Sequence, residues 1–323
     1  TPRLPDYILP LGKMEGDPAV DPSLYYVVPN YGDLATYNKF YRITKANKSG
    51  TDWMDEIFDP APIQSHNINV SGGNDQGNYL FSASYFDQKG TLLETYNKRF
   101  TLRSNSQYNI RKNIRIGENL SYSIIDNPRI TILDEGNAVS MAYRQQPIVP
   151  VYDIMGNYAG TFGGQLGQAT NPVAARQRTA SNKGFGNRLF GNAYAEVDFL
   201  KNFTFRTSFG GEYYALSGRW FNYPTYENAE NGNANSYSEN SGTGYEWTWT
   251  NTVTYTKSFG DHNVKILGGT EAINSNNQYL EGNTTDYFSF DPDYTTWESG
   301  SGTATHRSSR SSVALYSLFG RVD

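Results

Sequence analysis

The chain has only three histidines, His66, His262 and His306. A Ser-His-Asp relay or a metal site needs one of them to meet a nucleophile, an acid or a second ligand. No such convergence is visible in the sequence. His66 and His262 sit beside turns at strand ends and read as structural, and His306 reads as a solvated loop residue. Paired carboxylates could do general acid–base work on a glycosidic bond. The pairs here are Asp52/Asp55 and Asp291/Asp293, and Asp291-Pro292-Asp293 reads first as a turn. A calcium site in that loop stays open as an alternative, without EF-hand spacing to support it. The glycine pairs at 72–73, 163–164, 210–211 and 268–269 precede no phosphate-binding pattern and mark turns or close strand packing. Cysteine is absent, which removes disulfides and thiolate metal sites. These residues predict no catalytic centre, no metal and no cofactor.

Residues suited to recognition are more plentiful. A loop at 126–186 carries DEGNAVSMAYRQQP, which reads as a helix capped by Asp134 and ended by Pro147. A second, at 218–243, contains Arg219-Trp220-Phe221-Asn222-Tyr223-Pro224 and then an Asn/Ser/Gly/Glu-rich run. A third, at 274–310, holds Tyr279, Tyr287, Phe288, Phe290, Tyr294 and Trp297. Aromatics among Asn, Asp and Gln suit sugar or peptide recognition, and suit a packed loop or a protein interface equally well. Trp220, Tyr223, Tyr287 and Trp297 are the candidate ligand or partner contacts.

The elements that hold these loops are strands. Period-two segments fall at about 65–72, 78–87, 98–109, 113–125, 187–200, 203–217, 244–257, 263–273 and 311–323. A strand sends successive side chains to opposite faces. Phe100, Leu102, Ser104 and Tyr108 face one way, while Arg99, Thr101, Arg103, Asn105 and Gln107 face the other. Leu189, Ala193, Val197 and Phe199 oppose Arg188, Asn192, Glu196 and Asp198. Phe203, Phe205 and Phe209 oppose Thr204, Arg206 and Glu212, and Trp247 and Trp249 oppose Glu246 and a threonine ladder from Thr248 to Thr256. Glu118 is the one acid on an apolar face. Residues 1–64 are rich in Pro, Asp and Tyr. They read as a loop region with short helices, one capped by Asp33 and one through TDWMDEIF capped by Thr51 or Asp52.

Composition narrows the class. The 323 residues are only 37% apolar yet 15% aromatic, with 26 Tyr and 17 Phe. Disordered chains are aromatic-poor. The remaining reading is a β-protein whose polar residues line an interior or long loops. A net charge of −5 with mixed signs gives no nucleic-acid footprint. No run approaches a membrane helix, which leaves a membrane barrel open. The connections then alternate: 73–77, 110–112, 201–202 and 258–262 are tight, and 88–97, 126–186, 218–243 and 274–310 are longer. Short turns at one end and long loops at the other mark an outer-membrane barrel. A soluble secreted β-protein that binds carbohydrate stays open, since face alternation alone does not exclude it. Neither terminus carries a recognisable signal, and both read as edges of a fragment.

The motifs resemble a known family. TDWMDEIFDPAPIQSHNINVSGGNDQGNYLFSASYFDQKGTL (51–92) and KRFTLRSNSQYNIRKNIRIGENLSYS (98–123) look like the middle of a SusC/RagA-type TonB-dependent outer-membrane transporter. So do QQPIVPVYDIMGNYAG (145–160), LFGNAYAEVDFLKNFTFRTSFGGEY (189–213), WTNTVTYTKSFGDHNVKILGGTEA (249–272) and SLFGRVD (317–323). The resemblance covers roughly residues 50–323. It implies an all-β fold, a partial antiparallel transmembrane β-barrel of about nine strands from a barrel of about 22. Residues 65–323 would be barrel wall with extracellular loops, and 1–64 an extracellular loop region. The implied activity is TonB-dependent import of an oligosaccharide or peptide, with a passive porin-like barrel as the rival. The implied partners are a SusD-like surface lipoprotein, outer-membrane lipid, and TonB through an N-terminal part not in this stretch. Arg103, Arg115, Glu196, Arg206, Glu212 and Glu246 would face the lumen.

Overall fold

A computed structural model describes residues 4–9, 44–128, 136–154, 156–163, 166–232 and 234–323. A two-residue bridge, β1 (Tyr7–Ile8) with β2 (Thr44–Lys45), precedes the main sheet. The sheet has nine strands: β3 (Ile63–Asn74), β4 (Gly77–Lys89), β5 (Tyr96–Arg111), β6 (Ile114–Pro128), β7 (Lys183–Phe199), β8 (Phe203–Asn222), β9 (Ser236–Phe259), β10 (His262–Thr285) and β11 (Thr305–Val322). Each pairs antiparallel with its sequence neighbours in the order β3 to β11. The sheet is open, with β3 and β11 as edges. Among the described residues no helix is long and apolar enough to cross a membrane, which says nothing of crossing by strands.

All nine expected strands form, and several run further than their composition suggested. The tight connections shrink to 75–76, 112–113, 200–202 and 260–261. At 200–202 the hairpin is made without glycine: Leu200 and Lys201 take φ of 47° and 60°, the left-handed conformation whose turn matches the right-handed twist of paired strands. The long connections become 90–95, 129–182, 223–235 and 286–304. The expected loops at 218–243 and 274–310 are therefore corrected. Trp220 lies in β8, and Tyr279 in β10. His306 lies in β11 and not in a loop.

Register fixes the faces. Directly paired residues share a face, so one row reads Tyr79, Ser106, Glu118, Ala193, Phe209 and Trp249. The next row on the opposite face reads Gln107, Gly117, Tyr194, Ser208, Thr250 and Glu271. The only register shift in these ladders lies at Asn109/Arg111, so Glu118 truly belongs to the apolar face. Its Oε1 accepts from Ser104 Oγ at 2.7 Å and Ser106 Oγ at 3.0 Å, both on that face.

The outer loops have a core of their own. Trp53, Ile57, Val149, Val151, Ala159 and Val173 are buried together with Ala138 and Ala142. The helix expected in DEGNAVSMAYRQQP is α1 (Ala138–Arg144), capped by Asn137, whose side chain accepts from Ser140 N. Asp134 lies outside the described residues. A second helix, α2 (Pro172–Arg178), follows Asn171-Pro172, a cap residue and a proline at the first helical position. TDWMDEIF forms a single turn in place of a helix: Asp52 Oδ1 accepts from Met54 N and Asp55 N, and Glu56 N reaches Asp52 O. The short helix expected after Asp33 lies outside the described residues, and no helix occurs in 44–64.

Candidate functional site

The polar face is a lattice of cross-strand partners. Arg115 on β6 donates to Glu196 at 3.0 Å and, through both terminal nitrogens, to Asp198 at 2.7 and 3.1 Å on β7. Arg206 on β8 closes on the other oxygen of Glu196 at 2.6 Å and lies 4.0 Å from the Tyr194 ring centroid. Tyr194 spans Gly117 to donate to Gln107 at 3.0 Å. A Cβ on Gly117 would sit 2.6 Å from the Tyr194 ring, so only glycine permits that crossing. Tyr214 crosses Gly244 in the same way to reach Asn277 at 2.7 Å. Further up, Arg188 pairs with Glu212. Glu212 stands directly opposite Glu246, a like-charge pair that adds local negative potential. Arg103 stands between Ser82 and Ser121. Arg103 and Glu246 are exposed and have no ion-pair partner among the described residues. The six expected lumen residues thus share one face. Three of them, Arg115, Glu196 and Arg206, form one network.

The apolar face has two aromatic margins. At the short-turn end Phe199, Phe203 and Tyr255 stack, with centroids 5.5 and 4.9 Å apart. The other margin on β8 and β9 is Tyr213 opposite Tyr245. From Phe203 to Tyr213, at about 3.3 Å per residue and about 40° tilt, is roughly 25 Å, the height of an outer-membrane hydrocarbon band. Beyond that margin the same face turns to Ser217, Ser241, Thr243, Asn276, Gln278 and Ser312. The upper parts of β8–β11 are therefore largely polar on both faces, with Phe221, Tyr237 and Leu280 as the apolar members of the outward series.

The aromatic loop residues divide. Tyr287 is 2% exposed and packs against Phe221 and Tyr237, ring centroids 5.5 and 6.2 Å away. Its hydroxyl donates to Thr296 O at 2.8 Å. Phe221 and Tyr237 belong to the apolar series, so residues 286–304 fold onto the outward side of β8–β9. Tyr223 packs on Phe221 at 4.7 Å. Trp297 lies against Gly282, also in the outward series. Tyr287 is thus buried against residues of its own chain. Of the four candidates only Trp220, opposite Ser238, is on the polar series.

Sequence reasoning missed a clamp between two loops. Arg178, at the end of α2, donates to both Glu227 oxygens at 2.7 and 3.1 Å, with side chains 8% and 2% exposed. Its guanidinium lies 4.9 and 5.0 Å from the rings of Tyr158 and Tyr226. Phe162 N reaches Glu227 O, and Ala229 N reaches Thr161 Oγ1, so 136–182 and 223–235 form one body. Asn171-Pro172 was a readable helix signal, but nothing local announces the Arg178–Glu227 pairing. Among the described residues no group of three His, Cys, Asp or Glu side chains could hold a metal.

An open antiparallel sheet with a 25 Å apolar band, one polar face, tight turns below and packed loops above defines an arc of an outer-membrane β-barrel. Comparison with known proteins makes this specific. No protein-family model matches the chain. TonB-dependent receptor P3 of Formosa agariphila is 27% identical over 298 residues, covering 90% of this chain and 29% of that receptor. TonB-dependent receptor SusC of Bacteroides thetaiotaomicron is 24% identical, covering 85% of the chain and 28% of SusC. The chain thus spans less than a third of these relatives. Two structures of the RagAB peptide importer, in its closed-closed and open-open states, share the fold with TM-scores of 0.70 and 0.71 at 19% and 18% identity. Each match covers 96% of this chain and 36% of that one. The chain is thus similar to TonB-dependent receptors, SusC among them, and shares its fold with part of the RagAB importer.

Proposed function

We propose that this chain serves energy-coupled import of a nutrient across the outer membrane, as wall and external loops of a TonB-dependent transporter. The observation that carries the reading is the change along one face, apolar for roughly 25 Å and polar beyond it. A soluble sandwich has no cause to change solvent halfway along its strands. The substrate class is an oligosaccharide or a peptide, as the family resemblance implies, and the peptide importer that shares the fold supports the second. A SusD-like surface lipoprotein would deliver it to the outer loops. The self-paired network of Arg115, Glu196, Asp198 and Arg206 forms a rigid, charge-balanced wall. Arg103 and Glu246 are left for lumen contents to touch. The chain performs no covalent chemistry.

Uptake by cells carrying the full-length receptor tests this reading. Transport of a labelled oligosaccharide or peptide mixture is expected to require both the receptor and TonB. Uptake that survives loss of TonB would favour a passive pore, and recovery of the protein without detergent would exclude the membrane reading altogether.

A further inference from the structure

We propose that the outward face of β4–β7 carries a seat for one acyl chain of an outer-membrane lipid. The inference rests on the barrel reading above. A depression of about 450 Å³ opens on this face. Its floor is Ala83 and Ser104, small diagonal neighbours on β4 and β5. Phe81, Leu102, Leu120 and Leu189 stand around it. Along β5 it lies midway between Tyr108 and Phe100, inside the apolar band. Ser82 and Arg103 also border it, but register sends their side chains to the opposite face. The floor's one hydroxyl, Ser104, is already donated to Glu118. No charged side chain is left to recognise a headgroup or a polar partner.

The occupant follows from place and size. The band is continuous with bilayer hydrocarbon on every side. The volume equals roughly fifteen groups of about 30 Å³, the size of a water and close to that of a methylene. Lipid tails are as apolar as leucine, so no hydrophobic gain drives the contact. The seat works by shape, because an unfilled depression forfeits the dispersion contacts of its lining. One chain is therefore held longer here than on wall that offers it no depression.

The full-length receptor can be reconstituted with phosphatidylethanolamine, extracted in mild detergent and weighed by native mass spectrometry. One retained lipid per receptor is expected. Ala83→Phe, which fills the depression, is expected to reduce retention about tenfold. Ala83→Leu should give an intermediate loss if the larger ring prevents folding. Ala195→Leu, on the same face outside the depression, should leave retention unchanged. Equal retention in wild type and Ala83→Phe, or none in wild type, would overturn the seat. So would an oligomer that dissociates on Ala83→Phe, which would make the depression a protein interface. A receptor that fractionates with membranes yet holds no lipid refutes only the seat, whereas one that never enters the membrane fraction refutes the barrel.

Discussion

At the scale of single residues, burial decides which side chains matter for stability. Asn171 is fully buried and makes three hydrogen bonds: it caps α2 by accepting from Ala174 N at 3.0 Å, and donates to Val151 O and Ala159 O at 2.8 Å each. Asn171→Ala removes the cap and strands two buried carbonyls. It is expected to cost about 2–3 kcal/mol, read as a lower unfolding midpoint of the outer loops. Arg178 presents the sharper case. Truncation to Ala leaves the Glu227 carboxylate buried without its partner, at roughly 3 kcal/mol or more. Hydrogen exchange should rise in 136–182 and 223–235 while β3–β11 stay protected, and a uniform change across the sheet would contradict the clamp. Glu118 is different again: Ser104 and Ser106 both donate to its Oε1, while its Oε2 is buried without a hydrogen bond. The Asn171-Pro172 cap and the lone Glu118 leave local signals in the sequence, but the Arg178–Glu227 pairing leaves none. Arg178 and Glu227 lie 49 residues apart, and a loop-to-loop contact has no periodicity to betray it.

At the scale of elements, legibility followed the solvent. Within the bilayer band each strand has one apolar and one polar side, and the period of two was plain in β4, β5, β7 and β8. Above the band both sides meet water. Ser236–Thr243, Asn274–Thr285 and Thr305–Ser312 therefore have the composition of loops while being strands. That is why Trp220 and Tyr279 read as loop residues although they lie in β8 and β10. The packing of the 286–304 loop has a pH signature. Burial, together with the Glu239 carboxylate, pushes the Tyr237 hydroxyl from the ordinary 10.0 up to about 12. Burial also raises Tyr287. A raised folded value means that the fold favours the protonated phenol. The stabilisation is complete below pH 10 and is lost as pH climbs towards 12. Tyrosinate absorbance is expected to rise late for Tyr237, with exposure of Phe221 and Phe290 in the same interval. In Tyr237→Phe the late rise should shrink while that of Tyr287 remains, and titration of Tyr237 at the ordinary value in the wild type would contradict the buried cluster.

At the scale of the whole molecule, the central claim is that one face of this sheet meets hydrocarbon over a limited height. This stretch has no cysteine of its own, so a single cysteine placed in it, with any cysteine elsewhere in the receptor replaced, reports one position. Spin labels at successive positions from Lys98 to Asn109 of the full-length receptor in bilayers would report access to oxygen, which partitions into lipid, and to a water-soluble nickel complex. The predicted result is a period of two: oxygen access at 100, 102, 104 and 106, low at 99, 101, 103 and 105, with oxygen access ending at Lys98. Equal nickel access at both sets of positions, or an oxygen signal without alternation, would contradict the account.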